Sequence, residues 1–272
     1  LAQSDGASGS IPASAVALAN GEFECPNYTD STDERGARIR IPTGWTLINS
    51  AGETPVVFSA REWYARSCES DAWVEHLEGR DAVVLRAQDL ETPPAPGKAF
   101  DTTLYQQVQV EAGGAYSVSG WFVTLCGGSF SDPNDCPAGN YMAKLLGMDP
   151  SGGVDPQSTD IEWIENRANF VGPDGRTRIG WQNLRLAAVA EADTLTVFAR
   201  VNSPFQWHGN HAYVDAVKIV RAPAAMFGPL PAETDLAQLQ IAWNGEQSPD
   251  VAAIPNGTYR LYVDIQTRPE NG

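Results

Sequence analysis

The sequence predicts an all-β protein built as a β-sandwich. Segments of period-two alternation recur along it, the signature of strands with one buried face. Glycine and proline, 25 and 19 of 272 residues, interrupt the chain so often that long helices have little room. No internal repeat of fixed period appears, which excludes propellers and solenoids. A chain of this length buries a core without staples and holds one large β domain, or one domain and a smaller unit.

The clearest alternation runs from Thr103 to Val123. Leu104, Gln106, Val108 and Val110 share one face, a turn follows at Glu111–Ala115, and Tyr116, Val118, Gly120 and Phe122 then share a face. The pattern reads as a hairpin in which Trp121, on the face opposite Tyr116, lies with Gln107 and Gln109 of the paired strand. Further strands are read at Phe58–Trp63, Asp81–Ala87, Tyr141–Met148, Asp160–Ile164, Leu184–Ala190, Thr194–Asn202 and Ala212–Arg221. The helix-like windows are Asp71–His76 and Thr234–Gln240. At Ala222 the texture changes, with Pro223, Pro229 and Pro231 in close succession, which marks a semi-rigid linker or domain edge. Beyond it, Leu239–Trp243 and the alternating Gly257–Gln266 make a small β unit. The chain divides into an extended segment at 1–19, a sandwich at 20–222, and a linker with a small β unit at 223–272.

Charge and composition exclude several classes. Eighteen Lys and Arg against 34 Asp and Glu give a net charge of −16, and no basic cluster exists to meet nucleic acid or an anionic membrane surface. No apolar run approaches the roughly 18 residues of a membrane span. The small, polar opening from Leu1 to Ser10 follows either a removed signal peptide or an arbitrary boundary. Four cysteines without a CxxC spacing, and only three histidines, argue against zinc and for disulfides. They allow three connectivities. Cys126 and Cys136 bracket a Gly/Ser/Asp/Pro/Asn loop that a bridge would pin, which leaves Cys25 with Cys68. Bridges of this kind imply export.

Asn20-Gly-Glu-Phe-Glu24, then Ile41-Pro-Thr-Gly-Trp45, and finally Ala212-Tyr-Val-Asp-Ala-Val-Lys-Ile-Val220 bracket the larger unit. This bracket resembles the jelly-roll carbohydrate-binding modules that accompany bacterial xylanases and glucanases, as does the central stretch Tyr105 to Trp121. Met148 to Pro156, followed by Ile161-Glu-Trp163, is similar to a variant in extracellular bacterial proteins. The resemblance covers about residues 20–221 and implies a jelly roll with Trp45 in its core. It also implies a structural calcium tying the first strand to the last, with Glu22, Glu24 and Asp215 as ligands, since calcium takes six to eight hard oxygens. The second Asp of the family's closing motif is Ala216 here. In the tail, Trp243-Asn-Gly and Ile254-Pro-Asn-Gly-Thr-Tyr-Arg260 resemble the closing half of small Ig-like modules of flagellar hook-capping proteins. Half a module leaves an open edge, a template for strand addition.

Catalytic chemistry finds little support. There is no G-x-S-x-G elbow, and His76, His208 and His211 lack a nucleophile or zinc-ligand context. Asp160 and Glu162 share a face, but Glu165 falls off the spacing of jelly-roll glycosidases. Aromatic residues remain, and eight Trp are many for this length; sugars stack on exposed rings while amides and carboxylates bond their hydroxyls. The candidate ligand residues are Trp121, Gln107, Trp163, Trp181, Trp207, His208 and His211, with Trp63, Tyr64 and Trp73 at further loop tips. The expectation is a secreted or cell-surface bacterial protein that binds a polysaccharide or cell-surface glycan without catalysis. The alternatives are a subunit of an extracellular filament, assembled by strand exchange through the N-terminal segment or the C-terminal β unit, and a glycosidase accessory domain.

Overall fold

The computed structural model describes residues 16–88, 98–125, 142–167, 170–171, 177–178, 180–203 and 210–222. Two five-stranded antiparallel sheets form a sandwich. The first runs β12 (Gln182–Val189), β7 (Ala115–Leu125), β14 (His211–Arg221), β5 (Val83–Arg86) and β4 (Val56–Ser59). The second runs β3 (Thr46–Gly52), β6 (Phe100–Gln109), β13 (Thr194–Ser203), β8 (Ala143–Asp149) and β9 (Glu162–Asn166). A hairpin of β1 (Tyr28–Thr32) and β2 (Arg38–Pro42) and the short pair β10 (Phe170–Val171) and β11 (Thr177–Arg178) stand apart from them. The core lies between the sheets. Leu104 and Val108 of β6 and Val197 and Val201 of β13 face Tyr116, Val118 and Phe122 of β7 and Val214 of β14. Trp45 is buried there, its ring 5.2 Å from that of Phe23.

The predicted hairpin from Thr103 to Val123 does not form. Its two arms are β6 and β7, and they belong to opposite sheets. The turn between them carries the chain across the sandwich, because the alternating apolar residues of both arms point inward and a sandwich buries them by facing the arms across the core. Gln107 and Trp121 therefore lie on opposite outer faces of the molecule. The predicted strand Phe58–Trp63 is also corrected: after β4 the chain turns into a short helix, α1 (Ala60–Ala65). Ser59 caps it by accepting from Glu62 N, and Arg66 closes it in the left-handed conformation. The window at Asp71–His76 is not helical.

One surface layer covers part of the first sheet. Its outer face carries a buried apolar cluster of Val84, Val123, Leu125 and Tyr213, and α1 and the loop after it lie over this cluster through Ala60 and Val74.

Candidate functional site

The loop from Arg66 to Asp81 is fixed to the sandwich at several points. Cys68 is disulfide-bonded to Cys25, with a Cα–Cα separation of 5.4 Å. Arg61 of α1 is buried and its guanidinium donates to the carbonyls of Ser70, Ala72 and Arg80. Asp81 accepts from Ser59 Oγ and from the amides of Arg61 and Ala82, both at 2.9 Å. Asp215 Oδ2 accepts from the amides of Leu77 and Glu78 at 2.7 and 3.0 Å. Glu24 Oε1 takes the amides of Arg80 and Asp81 at 2.7 and 3.2 Å. Between them Gly79 adopts φ +63°, and a Cβ there would fall 1.9 Å from Glu24 Oε1, so a side chain would have to push the Glu24 carboxylate off the two amides.

What this loop presents is aromatic. Trp73 is 69% exposed and Tyr64, at the end of α1, is 44% exposed. The His76 ring centroid lies 6.3 Å from that of Trp73, and the ring is held by a 2.7 Å contact between Nδ1 and the Val74 carbonyl. Trp181 packs on the cluster beneath the loop and donates through Nε1 to Glu75 Oε1 at 2.6 Å. Partial burial pushes the Glu75 carboxyl up, against the lowering effect of the Trp181 bond. Most exposed tryptophans need no explanation. Here the ring stands on a loop held by three carbonyls, four amides and a disulfide, so its exposure is fixed in advance.

Trp121 lies on the outer face of the first sheet. Trp121 is half-buried and sits opposite Asn183 on one side and Asp215 on the other. The next row outward is Arg185, Ser119 and Lys218, of which Arg185 and Lys218 are exposed. Trp121 and Trp181 thus share this face, with amide, guanidinium and hydroxyl groups around them.

The remaining expected residues fall elsewhere. On the outer face of the second sheet, one cross-strand row reads Thr46, Tyr105, Phe198, Gly147 and Trp163. Trp163 lies over Gly147, where a Cβ would come within 2.5 Å of its ring, and the Arg200 guanidinium stacks 5.6 Å from its centroid. Arg200 is in turn bound by both oxygens of Asp101 at 2.7 and 2.5 Å. Gln107 donates to the Gly152 carbonyl at 2.8 Å, and Arg200 to that of Pro156 at 3.3 Å, so the segment after β8 is tied over this face. His211 is buried at the start of β14, facing Arg86 and Leu125. Trp207, His208 and the Cys126–Cys136 pair lie outside the described residues. Sequence reasoning missed Arg61, Glu75 and Asp81 as the groups that hold and flank the aromatic loop; Ser59-Ala-Arg-Glu62 has the spacing of a capping box and could have placed α1.

Of the three expected calcium ligands, Asp215 and Glu24 meet at the same loop, and Glu22 is exposed and acts on Lys218. Asp215 is fully buried, and its carboxyl is pushed up to about 7 by burial, with the Glu24 charge adding, despite the amides of Glu78, Leu77 and Ala216. Among the described residues neither carboxylate accepts a hydrogen bond from a Lys or Arg side chain, only from backbone amides. A hard-oxygen pair of this kind suits a cation; Glu22 does not join it.

No family model matches the chain, and no curated protein matches it. Solved structures do resemble it. The carbohydrate-binding module TmCBM61 in complex with β-1,4-galactotriose shares 16% identity at a TM-score of 0.38, over 65% of this chain and 88% of that one. The K1 cleaved adhesin domain of Lys-gingipain from Porphyromonas gingivalis W83 shares 12% at 0.42, over 72% and 99%. A carbohydrate-binding module of type CBM4 shares 10% at 0.33, over 76% and 100%. All three pair low identity with a TM-score below 0.5.

Proposed function

We propose that this protein is a secreted, non-catalytic carbohydrate-binding β-sandwich that holds its glycan on the aromatic surface of Trp73, Tyr64 and Trp181, extended by Trp121 on the outer face of the first sheet. The observation that carries this reading is Trp73, 69% exposed on a loop held by Arg61, Asp215, Glu24 and a disulfide. A sugar ring stacks on such a platform without first ordering it, while Glu75, Asn183 and Arg185 supply bonds to hydroxyls. The Cys25–Cys68 bridge supports export. A glycan array followed by titration tests the reading. Saturable binding that Trp73→Ala weakens tenfold or more, about 1.4 kcal/mol, is expected; a silent array overturns it.

We further propose that Glu24 and Asp215 bind a structural calcium. The ion would neutralise the buried Asp215 and the half-buried Glu24, and these residues would hold the loop that carries Trp73 against β14. Removing calcium with EDTA should lower the melting temperature by several degrees, restored by added calcium. A melting temperature unchanged by EDTA ends the proposal.

A further inference from the structure

A carboxylate stands beside the Cys25–Cys68 bond. Glu62 of α1 brings an oxygen to the two sulfurs so that all three atoms lie within 4.8 Å of one another, and each of the three residues is half-buried, within reach of solvent. The Glu62 side chain is held from outside this trio. Its Oε1 accepts from Arg40 Nη1 of β2 at 2.8 Å, and the same guanidinium donates to the Tyr28 carbonyl at 3.2 Å. Its other oxygen, Oε2, is buried and has no hydrogen-bond partner among the described residues. A buried carboxylate oxygen left in that state costs free energy, and a cation bound at this carboxylate would recover it. In the disulfide the sulfurs are neutral and poor ligands; as thiolates they bind metals. Sulfurs roughly 2.3 Å from a tetrahedral zinc are about 3.8 Å apart, a spread that the 5.4 Å Cα–Cα separation of Cys25 and Cys68 admits by rotation of the two side chains. Thiolate ligands also select zinc over calcium or magnesium.

We propose that the reduced chain binds a zinc ion through Cys25, Cys68 and Glu62, with water in the fourth position. Arg40 orients the carboxylate from outside the ligand set, as such donors commonly do. Two cysteines 43 residues apart and a helical glutamate make no zinc spacing along the sequence, so the cysteines read there as disulfide partners alone; the fold assembles the ligands. Cys68 lies in the loop that carries Trp73, and the metal therefore pins that loop in the reduced chain as the covalent bond does in the oxidised one. A thiol reductant gives the disulfide two electrons and two protons, and zinc displaces both protons from the resulting thiols. A disulfide oxidant takes the two electrons back: the S–S bond reforms, the oxidant leaves as two thiolates, and the zinc is released. An exported chain passes through the reduced state wherever thiols are kept reduced. That order of events rests on the export proposed above, whereas the site does not.

The test uses the full chain with Cys126→Ser and Cys136→Ser, which leaves Cys25 and Cys68 as its only cysteines. It is reduced with a phosphine and titrated with zinc against a chromophoric chelator, then with cobalt as a spectroscopic substitute. Stoichiometric zinc uptake by the reduced form and none by the oxidised form is expected, with a thiolate-to-cobalt charge-transfer band and a melting temperature of the reduced form that rises on adding zinc. Glu62→Gln keeps an acceptor for Arg40 and removes the ligand charge, and should weaken zinc binding by about tenfold or more. No uptake by the reduced form, equal uptake by both forms, loss of the fold on reduction by circular dichroism, or an affinity unchanged in Glu62→Gln overturns the proposal. Calcium and glycan binding are measured on the oxidised chain, so the loss of either reading is distinguishable from the loss of this one.

Discussion

Two single residues show how tightly side chains are placed on the outer faces. Gly147 lets the Trp163 indole lie flat across β8, because a Cβ there would come within 2.5 Å of the ring. Gly147→Ala must lift the ring away from Phe198, whose centroid is 5.6 Å off, and from Arg200. Overpacking of this kind costs about 1–3 kcal/mol, which thermal melting reads directly, with an accompanying shift in tryptophan fluorescence. Glu75 makes a pH-dependent prediction. Burial raises its folded pKa, so the ionised form is disfavoured in the folded state. The cost is absent below the unfolded value of about 4.3 and complete above the folded value, so this group lowers stability as pH rises. Glu75→Gln keeps an acceptor for Trp181 and removes the charge. It should raise the melting temperature relative to wild type at pH 7 and leave it unchanged at pH 4; the gain is small, because the half-exposed carboxyl is screened. An equal difference at both pH values would refute the assignment.

At the level of elements, the strands were legible and their partners were not. Thr194–Asn202 and Ala212–Arg221 were read within a residue of β13 and β14 because both show buried alternation on a chain broken by turn residues. The turn after β6 looks locally like any hairpin, and nothing within ten residues of it records that Gln107 pairs with Thr196 while Trp121 pairs with Asn183. Sheet membership is set by which face the distant strands offer. The hairpin β1–β2 and strand β3 were passed over, since Arg38-Ile-Arg-Ile-Pro42 carries too much charge to look like core. The aromatic loop was legible only as a set of rings. Its clamps are backbone groups met by Arg61, Asp215 and Glu24 across up to 138 residues of sequence, and such meetings leave no local trace. The Cys25–Cys68 bond does leave one, and it gives a prediction for this loop. It closes a separation of 43 residues, for which chain entropy gives about 4 kcal/mol. Cys25→Ser with Cys68→Ser should cost about that much in urea unfolding; a loss below about 1 kcal/mol would show that the clamps alone define the loop.

Across the described residues, the sandwich and the surface we propose for glycan binding occupy different parts of one architecture: a core between sheets, a clamped layer over one outer face, and a tied segment over the other. The resemblance to jelly-roll carbohydrate-binding modules anticipated the first of these. The clamped layer and the tied segment depend on contacts that the motifs do not encode. The crossing between β6 and β7 has a kinetic corollary. Since that stretch is not a hairpin, β6 and β7 do not form by the local contacts that speed folding, in contrast to the β1–β2 hairpin. Each arm waits for distant strands: β7 for β12, as Val118 for Leu186, and β6 for β3 and β13, as Leu104 for Leu47 and Val108 for Leu195. Chains dominated by such long-range pairing fold in milliseconds to seconds rather than microseconds. For that interval β6 and β7 expose alternating apolar faces and unpaired edges to whatever surrounds the nascent protein.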